Sequence, residues 1–178
     1  MHFYRISKYN PEFRDQQGRY MKQEEWTSIS DIGKLKDSNG NILTIEEYLK
    51  VENAYIQTCK KFFELNSVES LKIVNVNFHE VVKDSDSPQD VELQNFLNSF
   101  AEKQEVNSSE IKSAIQTVLR ELGDFQLQSE TLAIAAGYDY YLYIASELEF
   151  DENKLNIDGV DIYIERQDKF IVDLTNSN

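Results

Sequence analysis

Glu52 is the residue whose surroundings most resemble a chemical site. Around it, Ile45, Tyr48, Leu49, Tyr55, Ile56, Cys59, Phe62 and Phe63 recur at helical spacing, and Glu52 falls on the same face. A carboxylate there is costly to bury unless it is paired or hydrogen-bonded. The neighbouring tyrosines could donate to it, as could Arg5 or Arg14 from the N-terminal segment, so Glu52, Arg5 and Arg14 form one candidate buried polar site. Set in a cavity with a Tyr or Arg beside it, Glu52 would make a small acid–base enzyme. The rest of the chemical inventory is thin. His79 stands beside Glu80 with no evident nucleophile, and Cys59 on the apolar helix face reads as a buried, inert thiol. From Asp151 a calcium loop begins and fails, because Leu155 stands where an oxygen ligand is needed. There is no Gly-rich phosphate loop and no G-x-S-x-G elbow. No catalytic residue, metal site or cofactor is expected.

Charge is the stronger signal. The 178 residues carry a formal net charge of −14, and the acid is lopsided. Residues 1–87 hold 12 Lys/Arg against 14 Asp/Glu, whereas residues 88–178 hold 6 against 18. Such a field repels nucleic acid and anionic membrane and speeds encounter with basic proteins. The densest acid is Glu147, Glu149, Asp151, Glu152, Asp158 and Asp161, next to Tyr138, Tyr140, Tyr141 and Tyr143. Exposed Tyr beside acid suits an interface, with large contact area, low entropic cost and a polar tip. Strand alternation puts Tyr141 and Tyr143 on one face and Tyr140 with Leu142 on the other, so one pair is core and the other is available to a partner.

These residues must be positioned by a fold, and the pattern gives an outline. Residues 2–7 read as a strand broken by Asn10-Pro11, and Asn39-Gly40 as a tight turn. Thr44-Ile45-Glu46-Glu47 is a capping box opening a helix that ends near Leu65-Asn66. Leu71–Phe78 reads as a strand, residues 83–89 as a loop, and Val91–Phe100 as a short helix after Pro88. Asn107-Ser108-Ser109 caps a third helix that Gly123 ends. Strands follow at Phe125–Leu127, Leu132–Ala136 and Tyr140–Ala145, with a turn at Gly137-Tyr138-Asp139. A second hairpin turns at Asp158-Gly159, and Phe170-Ile171-Val172 is a candidate edge strand. The expected fold is α+β, a mainly antiparallel sheet packed with about three helices, in a single domain over residues 1–174 with a loose tail at 175–178. The lone Cys59 rules out an internal disulfide, the N-terminus lacks a signal-peptide layout, and no apolar run approaches the roughly 20 residues of a membrane span. A cytoplasmic protein is expected.

Tyr4-Arg5-Ile6-Ser7-Lys8-Tyr9-Asn10-Pro11, continuing through Phe13-Arg14-Asp15 to Glu25-Trp26-Thr27-Ser28-Ile29-Ser30-Asp31-Ile32-Gly33, resembles a group of small acidic bacterial proteins. Glu46-Glu47-Tyr48-Leu49-Lys50-Val51-Glu52 and Gly137-Tyr138-Asp139-Tyr140-Tyr141 extend the likeness, whereas residues 66–130 add nothing to it. Some such proteins look like immunity partners of polymorphic or contact-dependent antibacterial toxins. The resemblance implies a non-enzymatic role: an immunity protein that binds a cognate basic, nuclease-type toxin domain and occludes its active site. Two other classes compete, an acidic nucleic-acid mimic that blocks another basic protein and the small enzyme around Glu52. The oligomeric state is open.

Overall fold

Strand β1 (His2–Ser7) lies in the interior of the sheet, far from its sequence neighbours. It pairs with β6 (Leu142–Ser146) on one side and β8 (Val160–Gln167) on the other. The computed structural model describes residues 1–22, 25–37, 40–78, 91–100 and 103–170. Among them, eight strands form one sheet in the order β3-β2-β4-β5-β6-β1-β8-β7. The others are β2 (Ser70–Phe78), β3 (Glu105–Asn107), β4 (Gly123–Gln128), β5 (Leu132–Ala136) and β7 (Lys154–Ile157). Every pairing is antiparallel, and the described residues make a single α+β domain.

Period-two alternation decides the faces. Tyr4 and Ile6 of β1, Phe125 and Leu127 of β4, Leu132 and Ile134 of β5, Leu142 and Ile144 of β6, and Ile162 and Ile164 of β8 line one buried face. Helix α1 (Ile45–Leu65) covers this face with Tyr48, Tyr55, Cys59 and Phe62, joined by α2 (Val91–Ser99) and α3 (Ile111–Leu119).

Local chemistry explains where the helices start and stop. Thr44 Oγ1 accepts from the Glu47 amide, so the N-cap forms, although only this half of the expected capping box is made. A complete box closes instead around the short 3₁₀ turn Ile29–Asp31, between Ser28 and Asp31. Both α1 and α3 end in Schellman motifs whose left-handed residue is not glycine. Ser67 has φ 51° and Glu121 has φ 58°, with Val68 and Leu122 donating back to Phe63 and Thr117. Gly123, expected to end α3, opens β4 instead. Asn107 closes β3, and the α3 N-cap, Glu110, makes no side-chain cap bond.

Asp158 and Gly159 both take positive φ in the tight turn between β7 and β8, as expected. The β5–β6 turn is centred on Asp139 and Tyr140, at φ 57° and 64°, one residue later than the sequence suggests. A bulky residue pays for this conformation. Tyr140 stays because its ring packs edge-on against Trp26, Tyr48 and Tyr55, at 4.9, 5.9 and 5.1 Å between centroids. Tyr55 Oη accepts from the Lys8 amide and donates to the Tyr140 carbonyl, tying α1 to the turn. The Asn39-Gly40 turn is described only from Gly40, at φ 84° between a bridge of Lys36 with Ile42. His79, the 83–89 loop, Pro88, Ile171-Val172 and the 175–178 tail lie outside the described residues.

Candidate functional site

The carboxylate of Glu52 is 2% exposed and fully engaged from α3. Arg120 donates to it through Nε at 2.6 Å and Nη2 at 2.8 Å, and Gln116 Nε2 donates at 2.8 Å. Gln116 and Arg120 are four residues apart, so the last turn of α3 and its C-cap residue present both to one carboxylate. Two tyrosine hydroxyls stand close by. Those of Tyr48 and Tyr140 are buried against each other and Glu52, and burial, with the Glu52 charge behind it, holds both phenols above their ordinary range. Burial likewise pushes the Cys59 thiol up to about 12, so it stays a protonated packing group.

Arg5 and Arg14 do not reach Glu52, which corrects their expected pairing. Both grip Glu165 on the opposite face of the sheet. Arg5 Nη2 donates at 2.8 Å, and Arg14 donates through Nε at 3.0 Å and Nη2 at 3.1 Å. Cross-strand register explains it: Tyr143, Arg5 and Glu165 are direct neighbours on β6, β1 and β8. Arg14 Nη1 also donates to Tyr141 Oη at 3.1 Å, and Tyr9 stacks edge-on to Tyr141. These contacts fasten the segment after β1 across the sheet. Lys8 takes part too. Its ammonium meets Glu25 at 2.9 Å, and burial lowers its pKa despite that partner.

The sequence-predicted contact set is not one surface. Tyr138 and Tyr141 sit where β6 begins, whereas Glu147, Glu149, Asp151 and Glu152 follow its end, about 17 Å away along five residues of strand. Asp158 and Asp161 belong to the β7–β8 hairpin at the sheet edge. Tyr140 (4% exposed) and Tyr143 (7%) are buried, so neither offers contact area. Alternation predicted one core pair and one available pair. The structure buries both members of Tyr140–Leu142, buries Tyr143, and leaves Tyr141 half-buried. Part of the acid is already neutralised. Arg166 pairs with Glu149, and Lys154 meets Asp161 at 2.7 Å, which together with Asn156 holds the Asp161 carboxyl below its usual range. Asp158 accepts from Asn53 at 3.2 Å. Glu147, Asp151 and Glu152 are exposed.

One concave feature collects residues that the charge pattern alone did not select. A cleft of about 590 Å³ lies between the β5–β6 turn, the end of α3 and the start of β4. Val118, Leu119 and Ala136 supply its apolar wall, and Glu121, Asp124 and Asp139 its carboxylates. Tyr138, 92% exposed, stands at its mouth, and Tyr140 and Tyr141 also line it. Among the described residues, no Lys or Arg lines it. Only Tyr138, Tyr140 and Tyr141 of this set were predicted. Glu121 and Asp124 are 13 or more residues away in sequence and arrive through the β4–β5 pairing. Their sequence signal was weak: two acids flanking Gly123 at a helix-to-strand junction. Glu52 is not part of the cleft lining.

Among the described residues no helix is long and apolar enough to cross a membrane, and no group of three His, Cys, Asp or Glu side chains could hold a metal ion. Compared with protein-family models, curated proteins and solved structures, the chain matches none.

Proposed function

We propose that this chain is an immunity-type inhibitor that binds a basic toxin domain and blocks its substrate groove without catalysis. The observation that carries this reading is the distribution of exposed acid. The half of the chain with 18 acidic and 6 basic residues presents carboxylates at both ends of β6, and among the described residues those in the cleft share its lining with an exposed tyrosine and no Lys or Arg. Toxin domains that cut nucleic acid must approach phosphates and carry basic grooves. An acidic inhibitor steers onto such a groove quickly and excludes substrate sterically. The resemblance of the N-terminal segment and the Tyr138 turn to immunity proteins points the same way. A partner of this kind would be met in the cytoplasm.

The test is binding to the C-terminal domain encoded by the gene immediately upstream, at low and high salt, with that domain's toxicity as a second readout. Nanomolar affinity that weakens with salt, together with loss of toxicity, supports the inhibitor. No binding at either salt removes this pairing.

A further inference from the structure

We propose that Lys8 is the built-in ligand of an internal cation cage formed by Tyr9, Tyr20, Glu25 and Trp26, and that this cage, vacated by truncating the lysine, takes a free primary alkylammonium. A cation is seated in the site. The Lys8 ammonium lies over the ring of Tyr9 at 4.1 Å and over that of Trp26 at 4.4 Å, both well inside the reach of a cation–π contact. On a third side it donates to the Glu25 carboxylate at 2.9 Å. The walls are themselves held. Tyr20 Oη donates to the other Glu25 oxygen at 2.8 Å, and its ring packs 4.9 Å from that of Tyr9. Tyr9 Oη donates to the Trp26 carbonyl at 3.4 Å. Both rings are buried, and the side chains of Lys8 and Glu25 are only 6% and 7% exposed, so the charge is held by the cage and not by water.

The chemistry selects a primary ammonium. Such a group has three donors, and one carboxylate and two ring faces give each of them a place. A buried charge is costly unless paired, and a cation–π contact strengthens as water leaves it. A guanidinium is wider and planar, with five donors for which this cage offers a single carboxylate. The cage is also a latch. Lys8 directly follows β1, and Glu25 lies 17 residues further on, so the seated ammonium closes the intervening segment into a loop. The closed loop grips the β5–β6 turn. Trp26 packs 4.9 Å from Tyr140, Tyr9 packs 5.4 Å from Tyr141, and the Lys8 amide donates to Tyr55 Oη, which donates to the Tyr140 carbonyl. Filling the cage thus fixes the segment after β1 and the turn that carries Tyr138.

The experiment uses the full-length chain with Lys8→Ala, which deletes an n-propylammonium fragment from the cage. The variant is titrated with n-propylammonium chloride; 1-propanol, equal in length and uncharged, and sodium chloride run alongside. Melting temperature and hydrogen exchange in residues 9–22 and 137–141 are the readouts. The variant should melt lower and exchange faster in both segments. n-Propylammonium should reverse both effects with a dissociation constant on the order of 10 mM. At ten times that concentration, linkage raises the melting temperature of the variant by about 3–6 °C and leaves the wild-type chain, whose cage is filled, unmoved. Equal gains from 1-propanol or sodium chloride, an equal gain in the wild-type chain, or melting and exchange unchanged by Lys8→Ala would overturn the proposal. Should the variant not fold, the wild-type chain decides by NMR. Two ring faces over one ammonium shift the Lys8 Hε protons upfield, and Hε protons at the usual lysine position would overturn the cage on their own.

Discussion

Replacing Glu52 with alanine should be among the most damaging single changes in this chain, and its size follows from the geometry. The carboxylate accepts three hydrogen bonds between 2.6 and 2.8 Å, and the side chains of Glu52 and Arg120 are 2% and 8% exposed. Removing one member of a buried ion pair leaves the other charge desolvated, a loss of about 3–5 kcal/mol. In a domain of this size each kcal/mol shifts the melting temperature by roughly 2–4 °C, so the expected drop is about 6–20 °C. Urea unfolding gives the free energy directly. Trp26, the single tryptophan and 2% exposed, reports it by fluorescence. The companion variant is Glu52→Leu with Gln116→Leu and Arg120→Met, which removes the whole polar group. Apolar replacement of a buried ion pair is often neutral or stabilising, so the triple variant should recover most of the loss. A loss under about 1 kcal/mol for Glu52→Ala, or a triple variant as unstable as the single, would refute the buried-pair account.

Three further outcomes rest on the same packing. Burial raises the phenol pKa of Tyr9, Tyr48, Tyr55 and Tyr140. The native state therefore keeps its protons while the unfolded chain releases them above about pH 10, so stability is full below that pH and falls as pH rises further, by about 1.4 kcal/mol per pH unit for each phenol. Lys8, whose pKa burial lowers, is deprotonated in both states above about pH 10.4 and so does not offset this loss there; cooperative unfolding should begin between about pH 11 and 12, and a chain still native at pH 12.5 by Trp26 fluorescence would contradict it. Ser67→Gly, at the left-handed end of α1, should stabilise the fold by about 0.5–1 kcal/mol; a lower urea midpoint would show that the serine side chain matters more than its backbone. Reversing Glu147, Asp151 and Glu152 to lysine should slow association with a basic toxin domain and flatten its salt dependence, and an unchanged on-rate in stopped flow would remove that rim from the interface.

The sequence is most informative where structure is local. Helical periodicity found α1 to its last residue, and the Asp158-Gly159 turn fixed the β7–β8 hairpin because Gly159 sits where the backbone demands it. Non-local facts stayed hidden. Nothing in His2–Ser7 says that it inserts between β6 and β8, and without that placement the partner of Arg5 and Arg14 is unreadable. The sequence offers them one anomalous carboxylate, Glu52, but register delivers Arg5 to Glu165, one of three outward residues alternating with Val160, Ile162 and Ile164, and Arg14 joins it from the segment after β1. The helical pattern does single out Glu52 as a buried carboxylate that needs partners, and the structure supplies them. Its partners lie on α3, a helix whose packing against α1 no local pattern announces. The sequence sets the turn at Gly137-Tyr138-Asp139, whereas the structure turns at Asp139 and Tyr140, because the buried Tyr140 ring overrides the preference for glycine at that position. The tyrosines and the acid run are adjacent in sequence, yet β6 carries them to opposite ends of the sheet.

The central claim is that acid near the Tyr138 turn recognises a basic protein. It is tested most directly by the association rate of the upstream-encoded toxin domain with the wild-type chain and with Glu121→Gly/Asp124→Asn/Tyr138→Ala, at two ionic strengths. The account predicts fast, salt-sensitive association for wild type, and for the variant slower association and faster release. Equal rates for the two proteins at both ionic strengths would contradict it.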